Sequence, residues 1–284
     1  MRISGRDVSA LDRPEVLQYL FRPRKDWRGD PPEGAMDFSV TVDEEVEVGL
    51  RFHLHDPAEA HFLLFHGNGE IASDYDSVGP LYNRRGFSLL IADYRGYGRS
   101  GGTPTATSLL SDAHTVFTAV HRWLEKQERT GPLFVMGQSL GSAPAIDVVC
   151  AFQDKVEGLI LESAFARTIP LLDRLGVATR ALGISEADGF VNFGKIKVIG
   201  KPTLIIHSPG DDLIPLKDAD ILLANSGAMR KELMLAIGSR HNNMLQRYGE
   251  IYFQTIGRFV TSLTRARKRR SRQGAFDKRY PRRC

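Results

Sequence analysis

The sequence of 284 residues has only two cysteines, Cys150 and Cys284, which are too few to build a disulfide framework. No apolar run approaches the ~18 residues that a membrane-spanning helix requires. The first residues contain no apolar stretch of the kind found in signal peptides. These absences predict a soluble, cytoplasmic protein with reduced thiols.

The charged residues are unevenly distributed along the chain, although the formal net charge is only +4. Residues 265–284 contain ten Lys or Arg and one Asp and therefore carry +9, which leaves −5 on the remainder. Blocks of like charge are commonly solvated and disordered, and we expect this of the basic tail. Contact of the tail with phosphates or anionic surfaces is the alternative. The acidic remainder gives no reason to expect a nucleic-acid partner.

An antiparallel hairpin is predicted near the start of the folded part. Apolar and polar residues alternate over 38–42 and again over 46–52, with a turn-forming stretch between them. The composition is that of an ordinary globular protein, with 42% hydrophobic and 25% charged residues. Residues 1–36 are polar and contain four prolines, so we interpret them as a lead-in segment and not as a domain.

Short apolar runs without alternation follow the hairpin. Runs of this kind predict strands that are buried on both faces, as in a parallel sheet. The clearest helical stretch between them, residues 107–128, places its apolar residues on one face. Repeating strand–helix units predict an α/β fold with a doubly wound, mostly parallel sheet. The runs are 61–66, 87–92, 132–136, 159–161, 202–206 and 233–237.

The segment Gly137-Gln138-Ser139-Leu140-Gly141 fits the G-x-S-x-G pattern of a nucleophile elbow. It follows an apolar strand and opens a helix-like stretch, which is the context that the pattern requires. The turn is so tight that small residues are needed on both sides of the serine, and Gly137 and Gly141 supply them. The motif predicts Ser139 as a nucleophile, and a surface serine in a glycine-rich turn is the alternative.

A serine hydroxyl is a weak nucleophile and needs a base. Among eight histidines, His241 lies in a loop beyond the last strand, which can bring an imidazole to the carboxyl edge of the sheet. His66 is its main rival, although the glycine that follows indicates loop support. His53 and His55 have the spacing of a metal-binding pair but no acidic or cysteine partner nearby, so we expect surface strand residues and no metal site.

The acid that orients the base is expected between Ser139 and His241 in the sequence. Asp211 follows an apolar strand and is the first choice. Its neighbour Asp212 points elsewhere if Asp211 faces the base, because adjacent side chains on a loop diverge. Glu162, at the end of an earlier strand, is the second candidate.

The transition state of acyl transfer carries an oxyanion that N–H donors must stabilise. The backbone amides of Leu140 and Asn68 are the candidate donors. Gly67 and Gly69 allow the backbone to approach a substrate closely, and we assign them to loop support together with His66. The loop has neither a Walker lysine nor the G-x-G-x-x-G spacing of a phosphate-binding site.

In their order and spacing these motifs resemble those of the α/β-hydrolases, over about residues 37–264. Within that superfamily the chain resembles the short-lid serine-aminopeptidase-like esterases and the depalmitoylating hydrolases. The resemblance implies a triad of Ser139, Asp211 and His241 and a short lid at about 163–200. Unlike the depalmitoylases, the chain has no N-terminal cysteine cluster. The segments that carry the resemblance are 66–70, 93–100, 137–141, 207–215 and 238–242.

The predicted activity is hydrolysis of a small-molecule carboxylic ester or thioester through an acyl-enzyme, with no cofactor. Esters and thioesters are not distinguished by the sequence, because both are cleaved by the same triad. A serine at position 139 disfavours the dehalogenases and epoxide hydrolases of this fold, which need a carboxylate nucleophile. An aminopeptidase-like amide hydrolase and a non-catalytic binding scaffold are the alternatives.

The segment 163–200 contains more apolar side chains than one covering helix needs. We therefore expect part of it to roof an apolar pocket above Ser139. Complete packing of the segment into the core is the alternative.

Overall fold

The computed structural model describes residues 7–26 and 29–279, with residues 265–279 described by their backbone alone. The described part contains an eight-stranded sheet with the strand order β1-β2-β4-β3-β5-β6-β7-β8. Its strands are β1 (Ala35–Asp43), β2 (Val46–His53), β3 (His61–Phe65), β4 (Ser88–Ala92), β5 (Leu133–Gln138), β6 (Gly158–Glu162), β7 (Thr203–His207) and β8 (Lys231–Leu235).

Strand direction follows the predicted pattern. β1 and β2 form an antiparallel hairpin, and β2 pairs antiparallel with β4. All further pairings, from β4 through β3 to β8, are parallel. Every residue of β3, β4, β6 and β7 is buried, which explains their unbroken apolar runs. The prediction of a mostly parallel α/β sheet with an antiparallel N-terminal hairpin is confirmed.

Helices cover both faces of the sheet. One apolar core includes side chains of α1, α3, α4, α5 and α7, and a second core on the opposite face includes those of α2 and α8. The long α3 begins at a Thr105 cap, whose hydroxyl accepts the Ser108 N–H. The helices are α1 (Pro14–Leu20), α2 (Gly79–Asn83), α3 (Ala106–Lys126), α4 (Ser142–Ala151), α5 (Thr168–Leu175), α6 (Asn192–Lys195), α7 (Leu216–Asn225) and α8 (Met244–Arg279).

The lead-in packs against the folded part of the chain, and the last helix extends beyond residue 264. In the lead-in, Val8, Leu11, Val16, Leu20 and Phe21 are buried in the first core. The backbone of α8 is interrupted at Gly249 and continues to Arg279, well into the segment predicted to be a disordered tail. The side chains of that tail and residues 280–284 lie outside the described part. The predicted domain limits stay a prediction.

Within residues 7–26 and 29–279, no helix is both long and apolar enough to cross a membrane.

A buried ion pair connects the helices next to the sheet. Lys195 and Asp147 are both fully buried, with Lys195 Nζ 2.5 Å from Asp147 Oδ1. Asp147 Oδ2 also lies 2.7 Å from His114 Nε2, on α3. Burial raises the pKa of Asp147, but His114 and Lys195 more than compensate, so its pKa lies below the ordinary value. The ion pair therefore joins α4 to α6, and the hydrogen bond with His114 links α3 to both.

Replacing Asp147 by Asn should destabilise the fold, because it leaves the Lys195 ammonium buried without a counterion. We expect a loss of about 3–5 kcal/mol in the free energy of unfolding, measured by urea denaturation. Asp220→Asn, on the exposed side of α7, is the matched control and should cost less than about 0.5 kcal/mol. Equal losses in the two variants would contradict this account of the pair.

Candidate active site

The serine of the G-x-S-x-G motif lies in the sharp turn between β5 and α4. β5 ends at Gln138, and a 3-10 turn, Ser139–Gly141, leads directly into α4. The φ angle of Ser139 is +50°, in the left-handed region that side chains rarely adopt. The turn holds this strained backbone and aims Ser139 at the carboxyl edge of the sheet.

The two glycines of the motif are required by close backbone contacts. A Cβ atom at Gly141 would lie 2.0 Å from the Phe65 carbonyl oxygen, at the end of β3. A Cβ atom at Gly137 would lie 2.5 Å from the Gly141 carbonyl oxygen. Only glycine fits at both positions, so the turn can pack directly on the end of the neighbouring strand.

Three side chains from distant parts of the sequence meet at this turn. His241 Nε2 lies 2.9 Å from Ser139 Oγ. On the other side of the ring, His241 Nδ1 lies 2.8 Å and 3.0 Å from the two carboxyl oxygens of Asp211. Ser139 and His241 are 8% and 7% exposed, so the pair is largely shielded from solvent. The arrangement is a serine, a base and a carboxylate in hydrogen-bond contact.

The Asp211 carboxylate is held by several donors in addition to the imidazole. The backbone amides of Leu213 and Ile214 donate to Oδ1, and the Ser163 hydroxyl donates to Oδ2 at 2.9 Å. Burial raises the pKa of Asp211, but His241 and the two amides more than offset it, so the pKa lies below the usual range. No sequence motif identified Ser163, and its position directly after β6 is the only signal that could have done so.

Neither of the other two acid candidates forms a hydrogen bond with the imidazole, whose described partners are Asp211 and Ser139. Asp212 is exposed. Glu162 is buried and accepts a hydrogen bond from Tyr252 at 2.7 Å. Burial raises the pKa of Glu162 to about 7, although Tyr252 acts in the opposite direction. The structure therefore places Asp211, and not Glu162, in hydrogen-bond contact with His241.

The remaining histidines singled out in the sequence lie elsewhere. His66 Nδ1 lies 2.8 Å from the Gly67 oxygen and His66 Nε2 lies 3.2 Å from Asp93. Burial lowers the pKa of His66, but Asp93 and Gly67 outweigh burial, so its pKa is raised.

His53 is buried near Asp76, which corrects the expectation of a surface residue, whereas His55 is exposed. Among the described residues, no group of three or more His, Cys, Asp or Glu could hold a metal ion.

The loop after β3 lies alongside the elbow, because β3 and β5 are neighbours and Phe65 pairs with Gly137. This brings Asn68 towards the turn that contains Leu140. Glu70 closes the loop by accepting the Gly67 N–H at 2.8 Å. The Asn68 N–H donates to no residue of the described part of the chain and is available to a ligand.

A strap formed by residues 21–26 of the lead-in holds this loop from outside. The Arg22 N–H donates to Asn68 Oδ1 at 2.9 Å, and Arg24 Nε donates to the Gly69 oxygen at 3.1 Å. Arg24 also forms an ion pair with Asp74. Tyr97 completes the contact, because its hydroxyl donates to Asn68 Oδ1 at 2.7 Å. No motif in the lead-in predicted this contact with the site.

A cavity of about 450 Å³ lies beside the site. Its lining includes Gln138 and Asn242, the chain neighbours of Ser139 and His241, but no residue of 163–200. The apolar side chains of that segment, such as Phe165, pack into the first core instead. This cavity is therefore lined without the segment, and a roof formed by residues 163–200 above Ser139 stays a prediction.

Comparisons with known proteins agree with this architecture. The profile of the family described as serine aminopeptidase, S33, matches residues 56–183. Alpha/beta hydrolase domain-containing protein 17B of Xenopus laevis is 30% identical over 211 residues, which cover 72% of this chain and 67% of that protein. YfhR of Escherichia coli is 27% identical over 210 residues, covering 73% and 72% of the two chains.

Solved structures show the same fold at lower identity. An esterase of Pyrococcus furiosus superimposes with a TM-score of 0.68 at 18% identity, over 86% of this chain and 97% of that one. A soluble variant of monoglyceride lipase from Saccharomyces cerevisiae gives a TM-score of 0.61 at 16% identity, over 85% and 98%. The chain belongs to the α/β-hydrolase superfamily, and its family and fold together indicate a hydrolase.

Removing the Arg24 side chain should slow hydrolysis by loosening the loop that contains Asn68. We expect kcat to fall about tenfold for Arg24→Ala with little change in KM, less than the ~10²–10³-fold cost of losing an oxyanion donor outright. Arg22→Ala is the matched control, because Arg22 contacts Asn68 through its backbone amide. A kcat loss of the same size in Arg22→Ala would show that surface charge, and not the Arg24 contacts, is responsible.

Proposed function

We propose that the protein is a serine hydrolase that cleaves carboxylic esters or thioesters through an acyl-enzyme intermediate. The observation that carries this proposal is the contact chain from Ser139 Oγ through His241 to Asp211, with distances of 2.9 Å and 2.8 Å. A hydroxyl, a base and an orienting carboxylate in this order form a nucleophile that can be activated.

In the acylation step, Ser139 Oγ attacks the substrate carbonyl carbon while its proton passes to His241 Nε2. The Asp211 carboxylate accepts the hydrogen bond of the Nδ1–H and stabilises the imidazolium that forms. Its lowered pKa keeps Asp211 ionised throughout this step. His241 then gives the proton to the departing alcohol or thiol.

The carbonyl oxygen acquires negative charge during the attack. We assign its stabilisation to the backbone amides of Leu140 and Asn68. Leu140 directly follows the nucleophile. The strap holds the side-chain oxygen of Asn68, and the backbone N–H of Asn68 donates to no described residue. Donors fixed before the reaction need no reorganisation when the charge develops.

Water completes the cycle by attacking the acyl-enzyme, with His241 as the base. Each step uses side chains and amides of the chain together with water. An ester substrate agrees with the two structural neighbours, an esterase and a monoglyceride lipase. Thioesters remain within the proposal because the same attack releases a thiol.

Replacing Ser139 by Ala should abolish turnover without unfolding the protein. Loss of a triad nucleophile lowers kcat by on the order of 10⁴–10⁶, whereas a hydroxyl at the end of a turn contributes little to stability. Hydrolysis of activated esters and thioesters and labelling by a serine-directed fluorophosphonate measure the effect. Wild-type turnover in the Ser139→Ala variant would refute the proposal, and unchanged thermal unfolding is the control for folding.

The two adjacent aspartates provide a matched test of the orienting acid. Asp211→Asn should lower kcat by about 10³–10⁴, because an amide can hold the wrong imidazole tautomer and cannot stabilise the imidazolium. Asp212→Asn should leave kcat within about twofold, since Asp212 is exposed. If the two variants lose the same activity, Asp211 does not have the assigned role.

A further inference from the structure

The cavity beside the site lies between the segment 72–83 and the first turns of α8. Its volume of about 450 Å³ is within the range of small-ligand sites. Gln138 pairs in register with Glu162 across β5 and β6, so both line the cavity next to the elbow. A group bound there would be close to the scissile carbonyl of a substrate on Ser139.

The lining combines aromatic rings with negative charge. Its described residues include no lysine and no arginine. Rings of this kind and carboxylates both attract cations, the rings through their negatively charged faces. The aromatic lining residues are Tyr75, Tyr82, Tyr252 and Phe253, and the acidic ones are Glu70, Asp74 and Glu162.

Two of these carboxylates are engaged in holding loops. Glu70 accepts the Gly67 N–H at 2.8 Å, and the Tyr75 hydroxyl lies 2.9 Å from it. Asp74 accepts the Ile71 N–H at 3.1 Å and pairs with Arg24. Arg24 offsets the charge of Asp74, whereas the charge of Glu70 adds to the negative potential of the cavity. The oxygens of both carboxylates are committed to the loop and the strap.

Glu162 differs from both. It is 6% exposed, and one of its oxygens accepts the Tyr252 hydroxyl at 2.7 Å. No residue of the described chain donates a hydrogen bond to the other oxygen, although Glu162 lines the cavity. Burial raises its pKa to about 7, with Tyr252 and His241 lowering the pKa and Glu70 raising it. The site thus contains a buried carboxyl group with unused bonding capacity.

We propose that this cavity receives an acyl group bearing an ammonium-type cation, and that Glu162 is the specificity-determining residue that binds it. The inference rests on the proposed function, because it takes Ser139 as the point of attack. A purely aliphatic group would remove water from Glu162 and leave the carboxyl group without compensation. A cation replaces the lost water with electrostatic attraction to the Glu162 carboxylate and also contacts the aromatic walls.

A pair of phenyl esters of equal shape provides the test. One is a butanoate ending in a trimethylammonium group, and the other is its uncharged analogue ending in tert-butyl. The wild-type kcat/KM should favour the cationic ester by about tenfold or more, a ratio typical of a desolvated cation contact. In Glu162→Gln this ratio should fall about tenfold. Glu59→Gln, an exposed carboxylate before β3, is the matched control and should retain the wild-type ratio.

The pH dependence of the ratio identifies Glu162 as the group responsible. The trimethylammonium charge is fixed, so the preference should increase as Glu162 ionises around its pKa of about 7. Tyr252→Phe removes a hydrogen bond that lowers this pKa, and the midpoint should therefore move to higher pH. This second variant keeps the test valid if Glu162→Gln does not fold.

Binding to Ser139→Ala, measured by calorimetry with the same two esters, separates this inference from the proposed function. Tighter binding of the cationic ester that is lost in the double variant with Glu162→Gln supports the cavity even if no ester is cleaved. Turnover of both esters without preference, or a preference that persists in Glu162→Gln, overturns the inference and leaves the serine hydrolase proposal intact. Absence of turnover and of serine labelling counts against the proposed function alone.

Discussion

The close packing of the elbow turn on the end of β3 is the constraint on which the rest of the site depends. The Phe65 carbonyl oxygen lies where a side chain at Gly141 would begin. The elbow turn therefore lies in direct backbone contact with the end of β3. Ser139 adopts a left-handed conformation in this turn, and the pairing of β3 with β5 brings the Asn68 loop alongside it. The strain is maintained because β5 and α4 fix the backbone on both sides of the turn.

Two buried carboxylates near the serine have opposite environments. Asp211 receives hydrogen bonds from backbone amides and from His241, and its pKa is lowered. Glu162 accepts one hydrogen bond, from the Tyr252 hydroxyl, and burial raises its pKa to about 7. Groups of one chemical type are thereby suited to different tasks, a permanent anion behind the base and a titratable group in the cavity.

Contacts far apart in the sequence connect the site to the rest of the molecule. The strap residue Arg24 reaches both the Asn68 loop and Asp74 at the cavity wall. Asp74 and Tyr75 belong to the turn that precedes α2 and line the cavity. The strap therefore links the Asn68 loop to one wall of the cavity. Support of the site therefore comes from the chain's beginning as well as from the sheet.

The sequence by itself determined the sheet, the hairpin and the elbow, because their signals are local: apolar periodicity within a strand, and glycines at fixed distances from Ser139. It also limited the candidates for the acid that orients His241 to Asp211, Asp212 and Glu162. Only the tertiary structure decided which of these meets His241, that Arg22 and Arg24 support the loop that contains Asn68, and that apolar side chains of residues 163–200 pack into the core. Those outcomes depend on which elements become neighbours in space, and periodicity along one segment contains no information about its partner.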